Sequence, residues 1–160
     1  MNRREERETI FKVIFQLPFH ENELPELVSE FSDDEEKSVD ISSDESDVDS
    51  EETSQISDLY VDGKIKVSSK NFDYISAKTD DIKNHLEDID SIIEAHSNGW
   101  KVGRLGKEEL AILRVAVYEI KYDDDIPDRV AVNEAIELAK KYSTETAASF
   151  INGVLAGLIE

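Results

Sequence analysis

The chain is predicted to be all-α, and three observations carry that prediction. Apolar residues recur every three or four positions through most of the sequence, the spacing of one helix face. Only YVDGKIKV, at 60–67, has the character of a strand. Proline and glycine punctuate the helical runs where helices start and stop. At 160 residues the chain is long enough for a single domain, 1–160, with one packed core.

The elements follow in order. Residues 3–17 place Ile10, Val13, Ile14 and Leu17 at helical spacing, and Pro18 ends or redirects that helix. A second short helix from about Asn22 to Phe31 would turn Leu24, Leu27, Val28 and Phe31 inward. In the strand-like stretch, Asp62-Gly63 suits a two-residue hairpin turn. Helical spacing returns from Asn71, where Asp80 or Asp81 would cap a helix carrying the stripe Ile82, Leu86, Ile89 and Ile93. Gly99 ends it. From Lys107 the repeat Leu110, Leu113, Val117 and Ile120 predicts another helix. Pro127 opens the next, whose apolar face is Val132, Ala135, Ile136, Ala139 and Tyr142. Ser143 or Thr144 caps the last helix, and Phe150, Ile151, Val154, Leu155, Leu158 and Ile159 are its apolar residues. Gly153 and Gly157 each cost about 1 kcal/mol inside a helix. A closely approaching neighbour is the expected compensation.

Hydrophobic content of 39% is low, so part of the chain is expected to stay unpacked. The charge points to the same place. Residues 32–58 hold twelve acids against Lys37 alone, a local charge of −11 within a total of −20. With Val39, Ile41, Val48 and Ile56 as its only apolar residues, that stretch cannot bury enough surface to offset its ordering entropy. A disordered acidic insertion over 32–68, between the second and third helices, is the expectation. A second reading makes it a phosphate mimic that competes for the basic N-terminus.

Chemistry is scarce. The lack of cysteine excludes disulfides, thiolate catalysis and sulfur metal sites. GRLGK at 103–107 fails as a phosphate loop, because Lys101 stands where a glycine is needed and Glu108 where a Ser or Thr is needed. His85 and His96 are too far apart along a helix to share a metal. Asp123, Asp124 and Asp125 lack the glycine and terminal glutamate of a calcium loop. The expectation is no enzyme, no cofactor and no metal. No apolar run approaches the roughly 20 residues of a membrane span, and no secretory signal is recognisable, so a cytoplasmic protein is expected.

Against the bulk charge stands a small basic arm. Arg3, Arg4 and Arg7, with Lys12 beyond them, project from the first helical turns, and guanidinium forks suit phosphate and can stack on bases. Glu5, Glu6 and Glu8 between them equally suit an ordinary solvated helix start.

LRVAVYEI, a proline turn, VAVNEAIELAKKY and FINGVL, in that order, resemble the C-terminal half of the NusB family of bacterial antitermination factors. The opening RREERETIFKVIFQ is similar to that family's arginine-rich first helix. The resemblance covers 1–31 and about 69–160. It implies about seven helices in two three-helix bundles. It also implies binding of the boxA element of ribosomal RNA leader transcripts, as a heterodimer with the ribosomal protein NusE, within an RNA polymerase antitermination complex. By position, Arg3, Arg4, Arg7, Lys12 and Phe15 would contact RNA, and Glu109, Arg114 and Tyr118 the partner. Phe150 and Asn152 lie in a matching block, where Phe150 is equally readable as core. Some family members form homodimers that hide the RNA face, and nothing in these residues decides that here.

The chain departs from the family at Glu5 and Glu6, at Phe15 where tyrosine is common, in TETAAS before Phe150, and in the acidic insertion. The alternative is therefore a NusB-like protein-interaction module with weak or lost RNA binding.

Overall fold

The structure, a computed structural model, describes residues 3–16, 26–30 and 64–159. Helix α1 spans Arg3–Phe15, with Glu5 and Glu6 in its first turn, where the helix dipole favours acids. Its buried face holds Ile10, Phe11, Val13, Ile14 and Phe15, so the predicted stripe is present. Leu17 and Pro18 lie outside the described residues.

The second expected helix is replaced by a strand. Glu26–Glu30 form β1, which pairs in parallel with β2, Lys64–Ser68. Leu27 stands opposite Ile65 and Ser29 opposite Val67. This corrects two readings, the helix over 22–31 and the hairpin within 60–67. Asp62 and Gly63 lie outside the described residues, and the partner of β2 comes from far upstream instead. A parallel pair needs a crossover of about a dozen residues or more, which the chain between β1 and β2 supplies. A short run such as ELVSE fits a period of 2 as well as 3.6, so only its partner decides. Of the segment 32–68 expected to be unpacked, 64–68 form β2, and 32–63 lie outside the described residues.

Helix α2 (Ser69–Asn84) follows β2 directly, and α3 is Leu86–Ala95. Asp80 and Asp81 lie inside α2 rather than capping a new helix, which corrects that expectation. The break falls at His85, whose Nδ1 sits 2.8 Å from the Asp81 carbonyl oxygen. Upstream residues belong to the same helix, with Ile75 fully buried and Thr79 donating its hydroxyl back to the Ile75 carbonyl at 3.0 Å. Ile82, Ile89 and Ile93 form the expected buried stripe, with Leu86 packed at its edge. Helix α3 ends at Ala95 with His96 as its C-cap, four residues before the Gly99 expected to end it; Asn98 and Gly99 take positive φ (50° and 87°) in the turn that follows.

After a 3₁₀ turn at Val102–Arg104 comes α4 (Lys107–Tyr122), in which every residue from Leu110 to Glu119 is buried. A helix buried on all sides must be surrounded. Helices α1 and α2 pack on one flank of α4, and α3 lies against it. On the other flank are α5 (Asp128–Tyr142), which begins just after Pro127, and α6 (Glu145–Ile159). Two three-helix bundles, α1–α2–α4 and α4–α5–α6, therefore share one central helix. Six α-helices are present among the described residues, close to the seven implied.

In α5 the predicted face is buried except for Ile136, which packs at its margin. Thr144 caps α6, its Oγ1 accepting from the Ala147 N–H at 3.0 Å. The two glycines of α6 divide. His96 Cδ2 would lie 3.5 Å from a Cβ at Gly157, an ordinary contact, but a Cβ at Gly153 would meet nothing within 4 Å. Gly153 is exposed, so the expectation that close packing compensates it is corrected.

Candidate nucleic-acid interface

The first turns of α1, the middle of α2, and the connection from α4 to α5 enclose a groove of about 600 Å³. Arg3, Arg4, Arg7, Tyr74, Lys78 and Glu134 are among its lining. Three of the predicted arm residues thus meet in one place, but they play different parts there.

Arg4 stands at the mouth, with 70% of its side chain exposed. Its Nε and Nη2 donate to the two carboxylate oxygens of Glu134 on α5 at 3.0 and 2.9 Å. Glu134 thereby occupies one fork of the guanidinium, and the fork formed by Nη1 and Nη2 faces away from that carboxylate. Arg3 is equally exposed, with Nη1 donating to Glu6 at 2.9 Å and its guanidinium carbon 4.3 Å from the centre of the Tyr74 ring.

Arg7 is a different kind of residue. It is 8% exposed, and its Nε and Nη2 grip Glu119 on α4 at 2.7 and 2.9 Å, with Glu134 3.7 Å from Nη1. Burial opposes the charged form of Arg7, yet the hydrogen bonds and charge of Glu119 outweigh it and hold its pKa up. Burial likewise pushes the Glu119 carboxyl above its ordinary range, against the pull of Arg7. Arg7, expected to contact RNA, is placed by the structure as a strut that ties α1 to α4 at the floor of the groove.

Phe15, also expected to contact RNA, lies inside the bundle. It is fully buried, its ring 6.3 Å from that of Phe11, and it belongs to the core. Lys12 is half-buried on α1, away from the groove lining.

The expected partner residues divide in the same way. Arg114 is 7% exposed, and both oxygens of Asp90 on α3 accept from it at 2.9 Å. Tyr118 is 3% exposed and donates its hydroxyl to Asp81 on α2 at 2.5 Å. Burial, with that carboxylate beside it, pushes the Tyr118 phenol well above its usual value. Both brace α4 against its neighbours, Arg114 towards α3 and Tyr118 towards α2. Glu109 stays half-exposed in the first turn of α4, its carboxylate turned back over Gly106. In the block before the C-terminus, Phe150 packs against the core and Asn152 is exposed.

Tyr74, Lys78, Glu119 and Glu134 are site residues that sequence reasoning missed. Tyr74 and Lys78 are four apart on α2, so they share a face, but nothing in that spacing says the face meets α1. Lys78 donates to Asp123 at 2.7 Å, and that bond outweighs its partial burial to hold the ammonium charged. Each cation named in the groove thus has a carboxylate beside it. Solvent separates them: an exposed, screened pair such as Arg4–Glu134 is weak and can exchange for a phosphate. The buried Arg7–Glu119 pair cannot be opened without stranding a charge.

Behind the arm, Glu8 accepts from Lys141 at 2.7 Å and from the Tyr142 hydroxyl, joining α1 to α5. Burial raises the Glu8 pKa, but these bonds outweigh it and leave it below the ordinary 4.5. A depressed carboxylate stabilises the fold above its unfolded value and loses that contribution as pH falls through the folded one. Thermal melts between pH 6 and 3 should therefore show a shallower acid limb for Glu8→Gln than for the parent below pH 4.5. Parallel limbs would mean the pair contributes nothing.

Among the described residues there is no cluster of His, Asp and Glu able to hold a metal and no helix long and apolar enough to cross a membrane.

Comparison with known proteins agrees with this architecture. A sequence profile of the NusB family matches residues 37–160. The chain is 37% identical over 161 residues to the transcription antitermination protein NusB of Lachnoclostridium phytofermentans, covering 100% of both. It is 39% identical over 159 residues to the protein of that name from Clostridium botulinum strain Hall, covering 99% of this chain and 100% of the other. Among solved structures it is similar to T. maritima NusB, with TM-score 0.67 and 27% identity over 99% of this chain and 90% of that one. It also shares the fold of NusB in a complex of the antitermination factors NusB and NusE with dsRNA, with TM-score 0.63 and 23% identity over 98% and 94% of the two chains.

Proposed function

This chain belongs to the NusB family, and from that premise we propose that it is a transcription antitermination factor that binds boxA RNA of ribosomal leader transcripts as a heterodimer with the ribosomal protein NusE. The observation that carries the RNA contact is the pair of 70% exposed arginines, Arg3 and Arg4, standing at the mouth of a groove that the buried Arg7 framework holds open. The fold it shares with the NusB of the NusB–NusE–dsRNA complex supports both partners. Through that heterodimer it would join the RNA polymerase antitermination complex, in the cytoplasm. Whether it pairs with itself first is an oligomeric question that sedimentation at several concentrations answers.

The electrostatics favour dependence on the partner. A chain of net charge −20 whose groove cations already face carboxylates makes few phosphate contacts alone. A few such contacts give weak, salt-sensitive binding. A basic companion would add positive potential and orient the RNA. Affinity for boxA RNA, measured with and without NusE at two salt concentrations, should rise strongly with the partner; equal affinity in both cases rejects the proposal. Arg4→Glu should weaken the assembled pair's RNA binding by about tenfold or more and flatten its salt dependence by about one contact. The second reading, an interaction module with weak or lost RNA binding, is favoured by those same groove carboxylates. Partner binding without any RNA shift would establish it.

A further inference from the structure

Arg3 and Tyr74 form a layered contact that the phosphate contacts do not use. The Arg3 guanidinium carbon lies 4.3 Å from the Tyr74 ring centre, so one face of the cation is covered by an aromatic surface. Its Nη1 donates to Glu6 at 2.9 Å, which fixes the group in its own plane. The Arg3 side chain is nonetheless 70% exposed, so the cation remains accessible from solvent. Lys78 Nζ lies 5.5 Å from the centre of the same ring and is itself held by Asp123. Next along α1, Arg4 is equally exposed, and its bonds to Glu134 use Nε and Nη2 and leave Nη1 out. A planar cation lying on an aromatic ring, with a phosphate-binding fork one residue away, has the parts of a stacking site for a nucleotide.

We propose that the Arg3–Tyr74 layer is a stacking site for one unpaired base of a bound RNA, whose adjoining phosphate is taken by Arg4. The proposal rests on the RNA-binding reading above and narrows it to single-stranded RNA at this point of the groove. A base buried inside a duplex presents only its edges and cannot lie flat on the guanidinium, whereas an unpaired base can. Stacking of this kind tolerates any base, because each has a flat π-face. In this arrangement Arg3 touches the base, and Tyr74 is a positioning residue that supports the guanidinium from beneath.

The test uses the full chain with its NusE partner and two probes: single-stranded boxA leader RNA carrying 2-aminopurine at successive positions, and a duplex RNA of equal length. One position of the single strand should show fluorescence quenching on binding. Arg3→Lys keeps the charge and removes the plane. It should abolish that quenching and weaken single-strand binding by about fivefold or more, while leaving the salt slope unchanged. Tyr74→Leu should do the same, Tyr74→Phe should behave as the parent, and duplex binding should not distinguish the four proteins. If Tyr74→Leu fails to fold, the exposed Arg3→Lys decides alone. Parent-like quenching and affinity in Arg3→Lys, or equal losses on single strand and duplex, overturn the stacking site but leave the RNA-binding reading standing. A parent pair that binds neither probe overturns both.

Discussion

Arg7→Ala should lower the unfolding free energy by about 3–5 kcal/mol, because it strands Glu119 as an unpaired carboxylate in the interior. Glu119 is 5% exposed and sits on the central helix that both bundles share, so no rotation brings it to water. For a chain of this size such a loss lowers the melting temperature by roughly ten degrees. RNA binding should fall in Arg7→Ala only to the extent that the folded population falls. Arg7→Met combined with Glu119→Leu removes both charges and keeps volume, so it should regain most of the stability. Denaturant melts of Arg7→Met, Glu119→Leu and the double variant form the decisive cycle. A variant Arg7→Ala that melts like the parent yet no longer binds RNA would make Arg7 a contact after all, and the strut assignment would fall.

The second large effect concerns Phe15. Phe15→Ala should cost about 3–5 kcal/mol, the range for truncating a buried phenylalanine. The ring is fully buried and neighbours Phe11, which in turn packs on Tyr142 of α5 at 5.1 Å between centroids. Leucine at the same position keeps most of the volume, so Phe15→Leu should melt much closer to the parent. Under folding conditions Phe15→Leu should also bind RNA as the parent does, since the position never meets solvent. Unchanged stability in Phe15→Ala, with lost RNA binding, would place the ring at the surface instead.

These two residues show where reading the sequence reaches its limit. Arg3, Arg4 and Arg7 look alike in sequence, three cations in the first two turns of one helix. Arg3 and Arg4 stand exposed in the first turn, while Arg7, one turn further in, reaches Glu119. Arg3 and Arg7 are one turn apart, so their shared face held no hint that one end of it is buried. Glu134 and Glu119 could not be found at all: they lie in helical blocks rich in charge, and their meaning comes only from the arginines they face. Arg114 and Tyr118 were assigned to a surface by resemblance, whereas their carboxylate partners, Asp90 and Asp81, sit on other helices. A buried charge betrays itself only through its partner, and the partner is distant in sequence.

The short β1–β2 ladder teaches the same point from the other side. LeuVal in ELVSE gives no usable period over five residues, and the pairing joins segments on opposite sides of the acidic insertion. Long amphipathic runs are another matter. The stripes of α1, α4 and α5, the proline before α5, the Thr144 cap and the glycine turn after α3 were all readable, because each is written in consecutive residues.

Taken alone, the amino-acid order determined the helical class, most helix positions, the family, and the presence of a cationic N-terminus on an anionic chain. Those properties depend on spacing and composition within a turn or two of backbone. Tertiary structure alone decided which cations face water, which are locked to buried carboxylates, and that Tyr74 lies beneath Arg3. Burial and pairing are set by atoms brought together from remote parts of the chain, and their free energies depend on that meeting.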